Sequence, residues 1–441
     1  MSKRFYLLPL GCPKNTVDAE GMRGLLEAAG WRPTERPDRA DLLIVNTCGF
    51  IDPARAESYA ALSELAQAKR RGQLLLAAGC LSQRYAGDVK RVVPGVDGVL
   101  GTREWANVVP YVEQMLGREG GASIRPASPV SLVSFVPRTA HGPSAYLKIA
   151  DGCSAPCAFC AIPLIKGPQH SKPRTAILEE ASQLASQGVQ EIVLIAQDTT
   201  AYGHDHGADD SLPGLISDIV AAERKPAWLR LMYTYPQHVT ARLIEVMASH
   251  SQVCHYLDLP LQHAHPDTLR RMRRSSDVEG VCQLISGLRQ AMPDIALRTA
   301  FIVGYPGETE DEFATLLAFM RETAFDKVGI FKYSAEEGTP ATHLPNPVPS
   351  EVADERWNRG MQQQREISRA RNQAQVGRML DVLVEGTGKG ISVGRSYRDA
   401  PEIDGYVFVD GEWAPGQIVA TRIEHALDYD LQGRTEATVT G

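Results

Sequence analysis

Residues 151–167 read DGCSAPCAFCAIPLIKG. Cys153, Cys157 and Cys160 stand in this stretch at C-x3-C-x2-C spacing. Thiolates that close together can converge on one iron–sulfur cluster. A four-iron cubane takes four ligands, this loop supplies three, and no fourth cysteine follows at the ferredoxin interval. One iron is left open, as a catalytic zinc keeps a position open for its substrate. A zinc site or a chance group of buried cysteines is the plainer alternative. The three-cysteine spacing is far more specific than a lone C-x-x-C.

Around this loop the chain alternates strand and helix. AYLKIA (145–150) leads into it. EIVLIAQ (191–197), WLRLMYT (228–234), HYLDLPL (255–261), IALRTAFIVG (295–304) and KVGIFKY (327–333) follow as apolar, β-rich runs. Helical patterns lie between them, among others over 175–187, 240–250, 266–273 and 309–322. Six such units predict a partial (βα)6 barrel with its working groups at the carboxyl ends of the strands. The cysteine loop follows the first strand. AQDTTAYG (196–203), LPLQHAHP (259–266) and VGYPGETE (303–310) stand at other strand ends. Gln197, Asp198 and Gln262 there either contact a cofactor or substrate or cap the next helix. VGYPGETE, which contains Gly304, reads as a tight turn entering an acidic helix start. His204 and His206 read as a solvated loop, and His263 and His265 as a loop and a helix start. LRRMRR (269–274) reads as a solvated helix face, Cys254 and Cys282 as packing residues, and 350–375 as a long polar helix leaving the barrel.

The N-terminal third shows the same alternation. Strands are predicted at 3–10, 41–47 and 74–78, with helices over 16–29 and about 54–70, hence a parallel sheet with flanking helices. Cys12 follows the first strand in LGCPKN, Cys48 the second in NTCGF, and Cys80 the third in AAGCLSQR. Ligands collect beyond the carboxyl ends of such strands. These thiols predict a second cluster, again with three protein ligands and one open iron. Inert core thiols are the alternative. Both cysteine sets stand at carboxyl strand ends, so the two mouths are expected to face each other across a gap that admits a substrate side chain. Residues 117–143, rich in Gly, Pro and Ser, have linker composition.

The tail carries RMLDVLVEG, ISVGRSY, GYVFVDG and QIVATRIEHAL, punctuated by glycines. This predicts a small OB-like β-barrel. Residues 378–441 hold 6 Lys/Arg against 11 Asp/Glu, so most of the net charge of −7 sits there. The 441 residues suit about three domains, predicted at 1–120, 137–375 and 378–441. No run reaches the ~18 apolar residues of a membrane span. The start MSKRFYLLPLGCPKN lacks a small-residue cleavage site and reads as a strand, not a signal peptide. Eight cysteines in so long a chain suggest cytosolic metal ligation, and hence a cytoplasmic protein, over a disulfide framework. The acidic balance does not favour nucleic-acid binding.

At residues 151–167 the chain resembles the radical SAM superfamily. There the open iron binds the amino and carboxylate groups of S-adenosylmethionine, and the reduced cluster splits it to a 5′-deoxyadenosyl radical. The resemblance extends to Phe159, the aromatic before the last cysteine, which either lies against the adenine or packs the loop. It also implies Gly304 and Gln197 as cofactor contacts. The tail resembles the TRAM domain, which usually contacts RNA. With three parts in this order, nearly the whole chain is similar to the methylthiotransferases. LGCPKNTVDAE (10–20), CAIPLIKG (160–167), AQDTTAYG (196–203) and DAPEIDG (399–405) point to the RimO-type subgroup, which modifies the twelfth protein of the small ribosomal subunit. The GCQMN-like and GQNVN-like motifs of the tRNA-modifying sister group do not appear here. The loop CSAPCAFC also lacks the Asn or Asp and the Arg that such loops often carry.

The resemblance implies two [4Fe-4S] clusters and S-adenosylmethionine. The auxiliary cluster on Cys12, Cys48 and Cys80 carries an exchangeable sulfur that one S-adenosylmethionine methylates. A second S-adenosylmethionine is cleaved at the cluster on Cys153, Cys157 and Cys160. Hydrogen is taken from the β-carbon of a target aspartate, which receives the methylthio group. A sulfur donor, an electron donor and a basic ribosomal protein are the implied partners. The acidic tail, with Asp399, Glu402 and Asp404, is expected to draw that protein in and to repel tRNA. The alternatives are a tRNA adenosine methylthiotransferase and a non-catalytic iron–sulfur protein that binds RNA through its TRAM module.

Overall fold

The strand Leu42–Thr47 is buried at every position and Leu74–Gly79 at nearly every one. Strands apolar on both faces belong in the middle of a parallel sheet covered by helices. The computed structural model, which describes residues 3–117, 138–207 and 211–435, places them there. The sheet runs Arg32–Pro33, Arg4–Pro9, Leu42–Thr47, Leu74–Gly79, Gly98–Gly101, all parallel. Helices Pro13–Ala28 and Val108–Leu116 cover one face, and Asp52–Ala68 with Ala86–Val92 the other. Its edge strands, of two and four residues, are too short to show a period in sequence. Most of the linker expected over 117–143 lies outside the described residues.

All six barrel strands are present: Ser144–Lys148, Glu191–Ile195, Trp228–Leu231, Val253–Asp258, Ala296–Val303 and Lys327–Lys332. They pair in parallel in chain order, and the first and last remain edges. The outer side chains, such as Leu257 and Leu297, pack against the surrounding helices. The inner ones, such as Ile195, Met232 and Tyr256, pack against residues from elsewhere: Val17 of the first helix, and Leu383 and Ala400 of the tail. The open barrel is thus filled by the two neighbouring parts of the chain.

The tail closes into a five-stranded barrel of Met379–Gly388, Ile391–Ser396, Val407–Asp410, Leu431–Thr435 and Ile418–Ala426. Four of these runs are legible in sequence. Leu431–Thr435 reads LQGRT and has no apolar alternation. It becomes a strand because Val407–Asp410 and Ile418–Ala426 flank it and take up its backbone hydrogen bonds. The long helix expected over 350–375 is Ser350–Gln373.

The stretch 399–405 corrects the charge reading. Asp399 is buried and pairs with Lys327 at 2.7 Å. Asp404 accepts from Tyr256 Oη at 2.7 Å and lies 3.6 Å from Arg298. Of the three acids assigned to a docking surface, only Glu402 is exposed. Barrel cations neutralise the other two, a pairing across the chain that a charge count cannot register. Beside them, Glu191 takes Arg230 at 2.7 Å and Arg395 at 2.6 Å, all three buried. Arg230 also donates to the Tyr397 carbonyl at 2.7 Å. The tail therefore plugs the barrel at the end where Glu191 begins its strand.

Burial alone would raise the Glu191 carboxyl, but Arg230 and Arg395 hold it down to about 2. A lowered folded value means stabilisation that is complete above the unfolded value of about 4.3 and lost as pH falls toward the folded one. Glu191→Gln leaves the buried Arg230 without its carboxylate and Arg395 with Glu385 alone, at a cost of about 3–5 kcal/mol. Urea unfolding of the full chain at pH 7 should show that loss. The variant should also lose less stability than the parent between about pH 4 and pH 2.

Candidate functional site

The first thiol set is built from three strand ends. Cys12 is the N-cap of Pro13–Ala28, and its side chain makes no capping bond. Cys48 follows Leu42–Thr47, and Cys80 opens the short helix Cys80–Arg84. Gly11 takes φ +89°, and a Cβ there would lie 2.7 Å from Cys48 Cβ and 2.9 Å from its Sγ. Only glycine allows the first two loops to approach this closely. Asn15 Nδ2 ties them by donating to the carbonyls of Leu10 and Asn46 at 2.6 and 3.0 Å, and Asn46 Nδ2 donates back to the Asn15 carbonyl at 2.7 Å. The three thiols lie within electrostatic reach of one another. Burial pushes the Cys48 thiol up, and that of Cys80 up to about 12.

The second set lies on loop 153–160, bracketed by the hairpin Ala150–Asp151 and His170–Ser171. Ala158 N donates to the Met272 carbonyl, and Ala341 N to the Ala158 carbonyl, both at 2.9 Å. Cys153 N donates to the Gly167 carbonyl at 3.1 Å and Cys160 N to the Cys157 carbonyl at 3.2 Å. Burial raises the Cys153 thiol, and that of Cys160 to about 12. All six cysteines are free. Two sets of three soft donors, converged without forming disulfides, suit iron–sulfur clusters with one open iron each and do not suit a hard cation. Loading the sets must displace the protons that burial retains on Cys48 and Cys80, and on Cys153 and Cys160.

The two sets face each other. Cys80 packs against Ala161 and Ile165, just past the second loop. Arg103 donates to the Ile165 and Leu164 carbonyls at 2.9 and 3.2 Å. Glu336, buried beyond the last barrel strand, pairs with Arg84 at 2.8 Å and accepts from Asp52 N at 3.1 Å. Between the sheets lies a buried group of four charges. Lys166 stands 3.0 Å from Asp18 and 3.1 Å from Asp151, while Lys148 pairs with Asp18 and stands 3.1 Å from Asp151. Against the effect of burial, Lys148 and Lys166 hold the Asp151 carboxyl well below the usual carboxylate range. These residues supply charge beside a loop that carries none of its own.

The remaining residues singled out from sequence fall into two groups. Phe159 is half-buried against the cluster of Ala158, Met272, Tyr305 and Ala341. Gly304 sits at φ +72°, where a Cβ would meet Ala353 Cβ at 2.6 Å, and its N donates to Glu308 Oε2 at 2.5 Å. Gln197 is half-buried at its strand end, and Gln262 takes φ +74°. Asp198 is buried and accepts from Thr200 Oγ1 at 2.7 Å and Ala201 N at 3.1 Å, with His238 Nδ1 at 2.9 Å. It therefore orders a turn, since no helix follows it directly. His204 and His206 are exposed, and Cys254 and Cys282 pack in cores, as expected. LRRMRR differs from its reading: Met272 is buried, Arg271 pairs with Glu312 at 2.6 Å, and Arg274 lies 4.4 Å from the Tyr235 ring centroid. The helix ends at Arg271, so Met272 and Arg274 turn inward while Arg273 stays exposed. Sequence reasoning passed over Lys14, Asp18, Asp151, Lys166 and Glu336. The first four sit inside or beside quoted cysteine motifs, and that adjacency was the available signal.

Residues 4–101 match Uncharacterized protein family UPF0004, residues 147–320 the Radical SAM superfamily and residues 376–435 the TRAM domain. Two relatives named Ribosomal protein uS12 methylthiotransferase RimO are similar over nearly the whole chain. That of Roseiflexus sp. (strain RS-1) is 48% identical over 98% of this chain and 96% of the relative. That of Chloroflexus aurantiacus is 47% identical over 98% of this chain and 99% of the relative. Among solved structures, the radical S-adenosylmethionine methyltransferase TsrM from Kitasatospora setae, with cobalamin and a [4Fe-4S] cluster bound, has a TM-score of 0.59. It is 15% identical and covers 83% of this chain and 89% of that one, a likeness of fold. Its architecture, its two facing thiol sets and these relatives agree: the chain belongs to the RimO family of radical SAM methylthiotransferases.

Proposed function

We propose that this enzyme adds a methylthio group to the β-carbon of an aspartate in ribosomal protein uS12. The observation that carries the reading is the pair of free thiol triads, held face to face at the carboxyl ends of two parallel sheets. Residues 1–120 form the thiol-bearing α/β domain, 137–375 the radical SAM barrel and 378–441 the TRAM barrel. Cys12, Cys48 and Cys80 hold an auxiliary [4Fe-4S] cluster, and Cys153, Cys157 and Cys160 the radical SAM cluster. S-adenosylmethionine lies beside Phe159, Gly304 and Gln197. When bound, these groups supply a transferable sulfur and the reductive cleavage of S-adenosylmethionine.

The chain supplies position. Gly11 and Asn15 bring Cys12 and Cys48 together, and the Met272 and Ala341 bonds shape loop 153–160. The Glu336 and Arg103 contacts fix one mouth over the other, so a side chain held between them is shielded from water and close to both. The exposed Asp381, Asp410 and Glu412 leave the tail acidic. That suits a basic protein, whereas phosphate contacts require basic side chains. A sulfur donor and an electron donor complete the set of partners, and a ribosomal substrate puts the work in the cytoplasm. Among the described residues no helix is long and apolar enough to cross a membrane.

Two cubanes imply about eight irons per chain after anaerobic reconstitution. Cys157→Ala should abolish formation of 5′-deoxyadenosine and retain about four irons, on the same count. Cys48→Ala should retain 5′-deoxyadenosine formation and lose methylthio transfer; transfer at the parent rate would refute the second cluster. Gly11→Ala should reproduce the Cys48→Ala phenotype, because its Cβ displaces Cys48. Mass spectrometry of ribosomal proteins and of tRNA, from cells with and without the enzyme, tests the substrate. A methylthio group missing from tRNA instead of uS12 would defeat the reading.

A further inference from the structure

Lys14 lies two residues past Cys12, on the first turn of the helix Pro13–Ala28. It is 5% exposed. Among the described residues its Nζ has no hydrogen-bond or ion-pair partner and rests 2.9 Å from the centroid of the Tyr233 ring. Neighbouring buried cations are all matched: Lys148 and Lys166 by Asp18 and Asp151, Arg298 by Asp258, and Arg230 by Glu191. An ammonium group buried without an anion is costly, so its position calls for one that arrives from outside.

The floor beneath it is also built. Tyr233 is a non-glycine residue at φ +60°. Its N donates to Asp258 Oδ2 at 3.0 Å, and its carbonyl accepts from Thr199 N at 2.9 Å. Such a conformation persists only where the surroundings over-determine it, and it occurs preferentially at working sites. Cys12 lies within electrostatic reach of Lys14 from the N-terminal side, and Asp258, Lys166 and Asp151 from the barrel, none of them close enough to pair with it. Lys14 therefore stands at the junction of the two mouths, with the Tyr233 ring on one side.

We propose that Lys14 receives the side-chain carboxylate of the substrate aspartate and so selects aspartate over its neutral isostere. This inference rests on the aspartate reading given under Proposed function. The carboxylate carbon is bonded directly to the β-carbon. A charge-assisted bond of about 2.8 Å at Nζ thus sets the β-carbon roughly 4 Å from the ammonium, beside Cys12. The Tyr233 face holds the ammonium in place through its ring quadrupole until the carboxylate arrives. Asparagine keeps the shape but offers no anion, and leaves the ammonium unmatched.

The test uses the reconstituted full-length enzyme and two uS12 peptides, one with the target aspartate and one with asparagine at that position. Loss of a hydrogen bond to a charged group corresponds to about 10–100-fold. The parent should favour the aspartate peptide by about that factor, both in affinity measured by calorimetry and in KM for methylthio transfer. Lys14→Met should lower affinity for the aspartate peptide and abolish the preference, with iron content and 5′-deoxyadenosine formation retained. Lys14→Arg, which keeps a cation, should recover part of the preference. Unchanged affinity and preference in Lys14→Met would overturn the inference, as would an effect confined to the S-adenosylmethionine requirement. If Lys14→Met loses iron, Lys14→Arg decides: full iron without any preference for aspartate overturns the inference. A parent enzyme that transfers nothing to the aspartate peptide refutes the proposed function, and this inference with it.

Discussion

Asp18 on the first helix and Asp151 ahead of the second cysteine loop share Lys148 and Lys166 between them, with all four side chains buried. Replacing a buried ion group by apolar residues is often neutral for stability, whereas removing one partner is expensive. Its value here is positional. Asp18 meets both lysines in one arrangement only, with Pro13–Ala28 laid into the open side of the barrel. That arrangement brings Cys80 against Ala161 and makes the two thiol sets neighbours. If the helix slid by a turn, Asp18 would be buried unpaired and the two lysines would be left to share Asp151 alone.

The tail has a comparable part at the opposite end of the barrel. Its inner strands build an independent core of Val382, Val384, Val407 and Val409. The end of the strand Ile391–Ser396 and the loop after it serve the neighbour, because Arg395, Asp399 and Asp404 meet Glu191, Lys327 and Tyr256. A six-stranded open sheet has an interior to fill and two exposed edges, and inserting the neighbouring parts of the chain fills that interior. The acidity of 399–405 thus follows from the cations at the barrel end, and only the outer acids of the tail remain to meet a substrate.

The sequence by itself determined much of this protein. Period-2 and unbroken apolar runs located all six barrel strands and the three central strands of the first sheet, because burial on one or both faces writes itself into side-chain choice. Cysteine spacing located the set on 153–160, and placement after three predicted strands located Cys12, Cys48 and Cys80, since soft metal chemistry needs those atoms and few other demands place them at strand ends. Only the tertiary structure decided which charges are free. Asp404 and Glu412 look alike along the chain, yet one is interior and accepts from Tyr256 while the other is at the surface. Lys14 and Lys166 each sit close to a thiol set in sequence, yet one is matched by two aspartates and the other by none. Charge pairing acts through space between segments such as Asp18 and Lys166, 148 residues apart, so no local pattern records it. The backbone strain at Tyr233 has the same origin, being imposed by Asp258 and Thr199 from neighbouring strand ends.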